Sequence, residues 1–441
     1  MAFWMGAVMM ATPVRGAGRP EGVVVMERSM DRIARELKLD PAEVRRRNFI
    51  KPAQMPYNVG VIFRDGKPVI YDSGDYPSCQ EAALKAANYG TFRMRQAEAR
   101  KHGRYIGIGL GNAVEGTGLG PYESAAVKVA TNGRITVCTG ATPQGQSHKT
   151  TLAQIAADQF GVPIDAVRVE TGDTAKISQG IGTFAARTAV NAGSSVHTAA
   201  MRVAEKAKAI AAKMLEVPAE HLELHGGYVQ LAAVSQASKL AAFDNVRLAR
   251  KSLAELAVVA AGMPGFAMQD GDEPGLECTA HFTATQSTYA NGTAVAEVEV
   301  DIETGRVTIL HLVLAHDCGR LINPMVVEGQ VMGGIAHAIG NALFERLIYD
   351  AQGQPLTTTF GDYLLPLAAD MPPIAIIHQE TPSPLNPLGI KGAGESGTIP
   401  MIAPIIAAVE DALAPFGVKI TEAPITPERI CELLAHRRNE S

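Results

Sequence analysis

Lys391-Gly-Ala-Gly-Glu-Ser-Gly397 sets one carboxylate, Glu395, among residues with almost no side chain. Glycine lets a backbone approach a ligand closely and reach positive φ. An apolar helical stretch follows at 402–413, so the segment reads as a loop feeding a helix. Successive backbone N–H groups or a helix N-terminus bind anionic groups. With small neighbours, little covers Glu395 except whatever binds there. A carboxylate in a dry pocket has its pKa raised and serves as a general base near neutrality. Lys391 opposes that shift if it points inward. Taken alone, the loop reads more readily as a surface turn carrying an exposed Glu.

Working outward, strands are expected at 294–302 and 307–315, joined by the turn Glu303-Thr304-Gly305, with a helix at 326–345. Earlier in the chain the same order occurs. Strands at 124–130 and 135–139 flank Thr131-Asn132-Gly133, and a Gly-containing loop leads into a helix at 149–160. A short strand at 167–170 and a long Ala-rich helix at 188–215 follow. The echo is too loose to call a repeat, but it implies an α+β fold of two mixed α/β-layered lobes with loops gathered at one edge. The expected segments are 1–100, helical and irregular; 101–265, a first α+β lobe; and 266–441, a second lobe carrying the Glu395 loop. The last boundary rests on the Gly, Pro and acidic residues around 262–275.

The N-terminal hundred residues begin with an apolar run, 1–10, which has no basic flank and is too short to span a bilayer. It reads as a segment buried in a larger body. At 21–39 apolar Val24, Val25, Met26, Met30, Ile33, Ala34 and Leu37 recur at helical spacing, opposite a charged face expected to be solvated. Asp40-Pro41-Ala42-Glu43 is a helix start. Arg45-Arg46-Arg47 reads as a surface or interface face, and residues 51–100 show little regularity. A terminal helix is capped by Thr426-Pro427.

Composition narrows the function classes. Charged residues are 19% of 441, below the roughly 25% of soluble domains, as expected of a subunit that hides surface against partners. A net charge of -5 gives no basic stripe for nucleic acid. Cys79, Cys138, Cys278, Cys318 and Cys431 are too scattered for a zinc ribbon or iron–sulfur cluster, and read as free thiols of a reducing compartment. A cytoplasmic location is expected, with the periplasm as the alternative.

Three further Gly-rich loops accompany the first: Arg15-Gly-Ala-Gly-Arg-Pro20, Gln144-Gly-Gln-Ser-His148 and Gly180-Ile-Gly-Thr-Phe-Ala-Ala-Arg187. Four such loops point to a large, polar, phosphate-bearing ligand. Gly107-Ile-Gly-Leu-Gly111 fails the dinucleotide spacing, and Gly394-Glu-Ser-Gly-Thr398 fails the nucleophile elbow, which needs Gly at 398. No H-E-x-x-H occurs among the 11 His.

These loops, with Glu27-Arg28, 40–50, Gly120-Pro-Tyr-Glu-Ser124, 140–158, Asp317-Cys-Gly-Arg-Leu-Ile-Asn-Pro324, Glu328-Gly-Gln330 and 388–400, resemble in order the molybdenum-binding subunit of the xanthine dehydrogenase and aldehyde oxidase family. The resemblance implies Gly-rich loops meeting at a molybdopterin, in bacteria its cytosine dinucleotide form. The pterin dithiolene holds the molybdenum, so no protein residue is a direct metal ligand. It implies Glu395 as general base in oxidative hydroxylation of an aldehyde or N-heterocycle, with water as the oxygen source. Arg15 and Gly394 would lie near the metal. Gln144, Gly145, Gln146 and Ser147 would contact the pterin or a terminal oxygen. Ala185, Ala186 and Arg187 would form the segment whose backbone passes the metal and the pyrophosphate. Electrons would pass to [2Fe–2S] and FAD subunits, both separate chains.

Departures are informative. Ser147 replaces the second Gly of the family's Gln-Gly-Gln-Gly-His, and His337-Ala338 replaces a frequent Gln-Gly beside the cofactor. Gly16 stands where the carbon monoxide branch places a copper-binding Cys, which argues against that substrate. The family subunit carries a substantial N-terminal part, so a separate chain is expected to supply it. The alternative is a non-catalytic structural or assembly subunit, or a truncated remnant, that keeps the fold without molybdenum.

Overall fold

The computed structural model describes residues 14–63, 65–232, 250–262 and 273–440; the apolar run at 1–10 and most of 262–275 lie outside them. The chain divides into two compact units: Met1–Thr117, Thr288–Ser383 and Lys391–Ser441 form one, and Gly118–Ser287 with Pro384–Ile390 the other. The cuts fall at 117/118, 287/288, 383/384 and 390/391, whereas the sequence reading placed boundaries at 100/101 and 265/266.

In the first unit, α1 (Arg19–Leu37) and α2 (Pro41–Asn48) lead to the hairpin β1 (Tyr57–Ile62) and β2 (Pro68–Tyr71), then α3 (Tyr76–Ala86), α4 (Tyr89–Lys101) and the strand β3 (Tyr105–Thr117). Asp40 caps α2 as read, accepting hydrogen bonds from the amides of Ala42 and Glu43. Residues 51–100 are more regular than expected, because α3 and α4 are anchored by packing rather than by their own periodicity. Phe92, Cys79 and Ala83 are buried against Ile106, Ile108 and Leu110 of β3.

The second unit contains β4 (Glu123–Val129), β5 (Ile135–Thr139), α5 (His148–Phe160), β6 (Val167–Thr171), α6 (Ser194–Leu215), β7 (Leu222–His225), β8 (Tyr228–Leu231), β9 (Arg250–Ser252), α7 (Leu253–Ala260) and β10 (Leu276–Phe282). The chain then returns to the first unit with β11 (Thr288–Val300), β12 (Val307–Asp317), α8 (Pro324–Ile339), β13 (Ile374–Gln379), α9 (Thr398–Ala412) and α10 (Pro427–Glu440).

The echo seen in the sequence is a repeat of topology. The main sheet of one unit runs β10-β4-β5-β6 and that of the other β3-β11-β12-β13. In each, the first two pairings are antiparallel and the last is parallel. Each unit proceeds hairpin, loop, helix, parallel strand, loop, long helix. Because β5 and β6 are parallel, the loops leaving them emerge at one edge. Gly140 and Gly180 approach so closely that a Cβ on either would lie 2.7 Å from the other's Cα. In the first unit the loops after β12 and β13 are tied by the Lys391 amide donating to the Cys318 carbonyl at 2.7 Å.

Gly107, Gly109 and Gly111 explain the run that failed as a dinucleotide motif. They lie on one face of β3, and a Cβ on Gly107 or Gly109 would sit 2.0 Å from the carbonyl oxygen of Ala408 or Pro404 on α9. The glycines form a trough in which α9 lies directly on the strand.

α1 keeps part of the expected amphipathicity, with Ala34 buried and Val24 packed against the core, and departs from it elsewhere. Glu27 is 5% exposed, whereas Met26 and Leu37 are each 61% exposed. Arg32, Arg35, Glu36 and Lys38 face solvent as read, but Glu27, Arg28 and Asp31 are drawn inward by partners: Arg45 Nε donates to Glu27 at 2.6 Å and its Nη2 to Asp31 at 2.9 Å, while Arg28 and the exposed Arg35 both bind Glu410 of α9. Arg45, expected at a surface, is 2% exposed and also donates to the Leu110 carbonyl; only Arg46 and Arg47 face solvent.

Candidate active site

The Glu395 loop is fixed at both ends. The Gly392 amide donates to Thr117 Oγ1 of β3 at 2.9 Å, and the Glu395 carbonyl accepts from the amides of Thr398 and Ile399, starting α9. Gly397 is required by a crossing with α8: a Cβ there would lie 2.2 Å from the Val331 carbonyl oxygen. Lys391 does not counter Glu395. Its fully buried ammonium lies 3.7 Å from Asp317 and donates to Thr381 Oγ1 and the Ser73 carbonyl.

Glu395 is 8% exposed, so the expectation that small neighbours leave it uncovered is corrected. Its cover comes from residues distant in sequence. Arg19, on the first turn of α1, lies 3.4 Å from Glu395 Oε2. Glu115 of β3 lies close enough to interact with it. Burial first, then Glu395, hold the Glu115 carboxyl well above the ordinary carboxylate range, against the opposing charges of Arg19 and Arg15.

Arg15 joins this group. Its Nε donates to the Gly394 carbonyl at 2.5 Å and its Nη2 to the Gln330 carbonyl of α8 at 2.6 Å. Nη1 takes no part in the hydrogen bonds among the described residues and lies 3.4 Å from where a Gly333 Cβ would be. One helical turn on, His337 is exposed, and partial burial followed by the Arg15 charge lowers its pKa, so the ring is neutral at pH 7. Gly16, Ala17 and Gly18 all have positive φ, at 108°, 51° and 86°. A Cβ on Gly16 would lie 2.6 Å from Pro20 Cγ, so this turn is built for glycine.

In the second unit, Ala185 and Ala186 are consecutive left-handed residues, with φ of 49° and 47°. Their amides are used by no other group among the described residues. Consecutive unused N–H groups in such a turn form a concavity suited to an anionic group. Ser147 also has positive φ, 56°, the conformation for which glycine is favoured. Gln144, Gly145 and Ser147 are exposed, whereas the Gln146 side chain folds back onto the Gln144 amide.

Arg187 is fully buried, and every donor group of its guanidinium is engaged within the unit: Leu119 O at 2.5 Å, Tyr122 O at 2.6 Å, Gly182 O at 2.8 Å, and Glu123. Glu123 also accepts from the amides of Ile181 and Gly182. The side chain of Arg187 therefore shapes the loop, and the amides of Ala185 and Ala186 are what the loop presents. Sequence reasoning missed Glu115, Arg19 and Glu123. The available signal was a carboxylate inside each of two otherwise uncharged or apolar strand segments, 105–117 and 123–127.

Residues 7–49 and 82–372 match family descriptions of the molybdopterin cofactor-binding domain. The chain is 37% identical to the nicotine 6-hydroxylase large subunit of Paenarthrobacter nicotinovorans, over 96% of this chain and 51% of that protein. It is 34% identical to the carbon monoxide dehydrogenase large chain of Hydrogenophaga pseudoflava, over 94% of this chain and 51% of that protein. The structure of quinoline 2-oxidoreductase from Pseudomonas putida 86 aligns with a TM-score of 0.86 and 40% identity, over 96% of this chain and 53% of that one. The chain thus spans about half the length of the curated relatives it matches. No helix among the described residues is long and apolar enough to cross a membrane, and no group of three or more His, Cys, Asp and Glu side chains among them could hold a metal ion.

Proposed function

The chain belongs to the molybdopterin cofactor-binding domain family, and from that premise we propose that it is the base-bearing part of a molybdenum hydroxylase large subunit. The observation that carries the reading is Glu395: a buried carboxylate beside Arg19, on a loop whose Gly394 carbonyl is gripped by Arg15.

The residues present fit the cofactor class. The unused amides at Ala185 and Ala186 and the exposed 144–147 loop would hold phosphate and pterin groups. Arg15, through Nη1, and His337 would face the metal end. The cofactor is proposed to be molybdopterin in its cytosine dinucleotide form, and when bound it supplies oxygen transfer and two-electron redox chemistry. The chain's own residues do the rest. Glu395 takes the proton from the oxygen nucleophile derived from water, Arg19 balances its charge, and the loop's hydrogen bonds fix its position.

Relatives named for nicotine and quinoline favour an N-heterocycle as substrate, with an aldehyde as the neighbouring class. Gly16, where a Cβ would strike Pro20, speaks against the copper-dependent carbon monoxide reaction. A separate chain is proposed to supply the other half of the subunit, and [2Fe–2S] and FAD subunits to take the electrons. Exposed apolar residues such as Phe360 at 80% and Leu367 at 68% support burial against partners.

The test is molybdenum content and turnover of the protein purified with its operon partners. The parent and Glu395→Gln should both carry molybdenum, and only the parent should turn over. Metal absent under conditions that load a control enzyme would establish the non-catalytic reading instead. Turnover retained in Glu395→Gln would remove Glu395 as base.

A further inference from the structure

Glu115 takes no part in the proton transfer proposed for Glu395. It lies on β3 at 3% exposure, and neither carboxyl oxygen meets a hydrogen-bond donor among the described residues. An ionised carboxylate in that situation carries an uncompensated desolvation cost, whereas the acid form does not. The acid has one O–H to donate, and the Glu395 carboxylate lies close enough to receive it. The charged groups facing Glu115 are Glu395, Arg19 and Arg15. Its other neighbours, Ala113, Asn291, Ser396, Ile399 and Pro400, are uncharged and line a cavity of about 10 Å³ beside it.

We propose that Glu115 is a positioning residue: its neutral carboxyl donates a hydrogen bond to the Glu395 carboxylate and, with Arg19 on the other side, holds that side chain in one orientation. The hydrogen bond is a property of the chain itself; its catalytic consequence rests on the reading of Glu395 as base. Clamped on both sides, Glu395 keeps a fixed lone pair for the proton it receives. Released from Glu115, it samples other rotamers.

The chain gives a readout that does not depend on turnover. Infrared difference spectra at pH 8 should show the carbonyl band of a buried protonated carboxylic acid. The band should vanish in Glu115→Gln and move to higher frequency in Glu395→Gln, where a neutral amide accepts in place of a carboxylate. Its absence in the parent, or its survival in Glu115→Gln, overturns the proposal. Burial of an acid form also has a sign in stability. The folded state keeps a proton that the unfolded state releases above about pH 4.5, so Glu115 destabilises the fold as pH rises. Glu115→Gln should therefore melt above the parent at pH 8, with the difference shrinking towards pH 4; an equal or lower melting temperature at pH 8 counts against it.

In the assembled enzyme, Glu115→Leu, which cannot donate, should lower kcat by about 10- to 100-fold with little change in KM, and Glu115→Gln, which can, should recover most of the loss. Parental kcat in Glu115→Leu alongside an inactive Glu395→Gln refutes positioning. Parental turnover in Glu395→Gln refutes the base, and the infrared band then decides the hydrogen bond alone.

Discussion

Replacing Arg187 with Met tests whether this side chain organises the loop or binds ligand. The guanidinium and Glu123 are both 0% exposed. Met fills most of the volume but removes the donors to Leu119, Tyr122 and Gly182 and leaves Glu123 charged with only the Ile181 and Gly182 amides. Breaking a buried pair from one side costs about 3–5 kcal/mol. Each carbonyl left without a donor adds about 1–3 kcal/mol where the loop does not relax to reach water. A loss of about 5 kcal/mol corresponds to a fall of roughly 10 °C or more in the melting of the second unit, measured by calorimetry. Arg187→Lys should not rescue it, because a single ammonium cannot span acceptors placed around a planar fork. Arg187→Met with Glu123→Leu should recover part of the loss by removing the stranded charge, though not the anchor for the Ile181 and Gly182 amides. If Arg187→Met melts within about 2 °C of the parent yet loses molybdopterin, the buried-anchor reasoning is wrong and Arg187 is a ligand contact.

Ser147→Gly should stabilise the chain by about 1 kcal/mol in chemical denaturation, since a non-Gly residue at φ 56° stores left-handed strain; an unchanged or lower midpoint would show that the turn relaxes around Ser. Glu410 behaves oppositely to Glu115. Burial raises its pKa, but the charge of Arg28, the Ile420 amide and Arg35 outweigh burial and bring it below the ordinary value. Its contribution to stability is therefore present above the unfolded pKa of about 4.3 and lost as pH falls through the folded value, so Glu410→Gln should destabilise at pH 7 with a deficit that narrows below about pH 4.

What was legible in the sequence was local. Asp40 before Pro41, the Thr131-Asn132-Gly133 turn and the Glu303-Thr304-Gly305 turn all announce their elements through caps and glycine conformations, and each lies where it was read. What was not legible depended on a partner far along the chain. Glu27, Arg28 and Asp31 of α1 turn inward because Arg45 and Glu410 arrive to neutralise them, and hydropathy counts each residue without its partner. The glycines of β3 look like a ligand motif until α9 is laid across them. The same limit applies to the site: Glu395 was found by its small neighbours, but what covers it, Arg19 and Glu115, lies more than 270 residues earlier in the chain.

The repeated topology gives these placements a common cause. In each unit a parallel edge strand, β6 or β13, leads through a loop into the long helix, α6 or α9, that lies against the sheet. Parallel pairing brings the loops after the third and last strands of each sheet, β5 and β6 or β12 and β13, to one edge, which is where open α/β sheets bind ligands. The loop before α6 holds Ala185 and Ala186, and the loop before α9 holds Glu395. The two occupy the same structural position with different chemistry. In one, a buried Arg–Glu pair lies beneath a turn whose free groups are backbone amides, which can bind an anion but cannot serve as a general base at neutral pH. In the other, the turn presents a carboxylate, and the ion pair beneath its start, Lys391 with Asp317, leaves that carboxylate to Arg19 and Glu115. The proposed binding role of the first loop and proton-accepting role of the second accord with the groups that each leaves free.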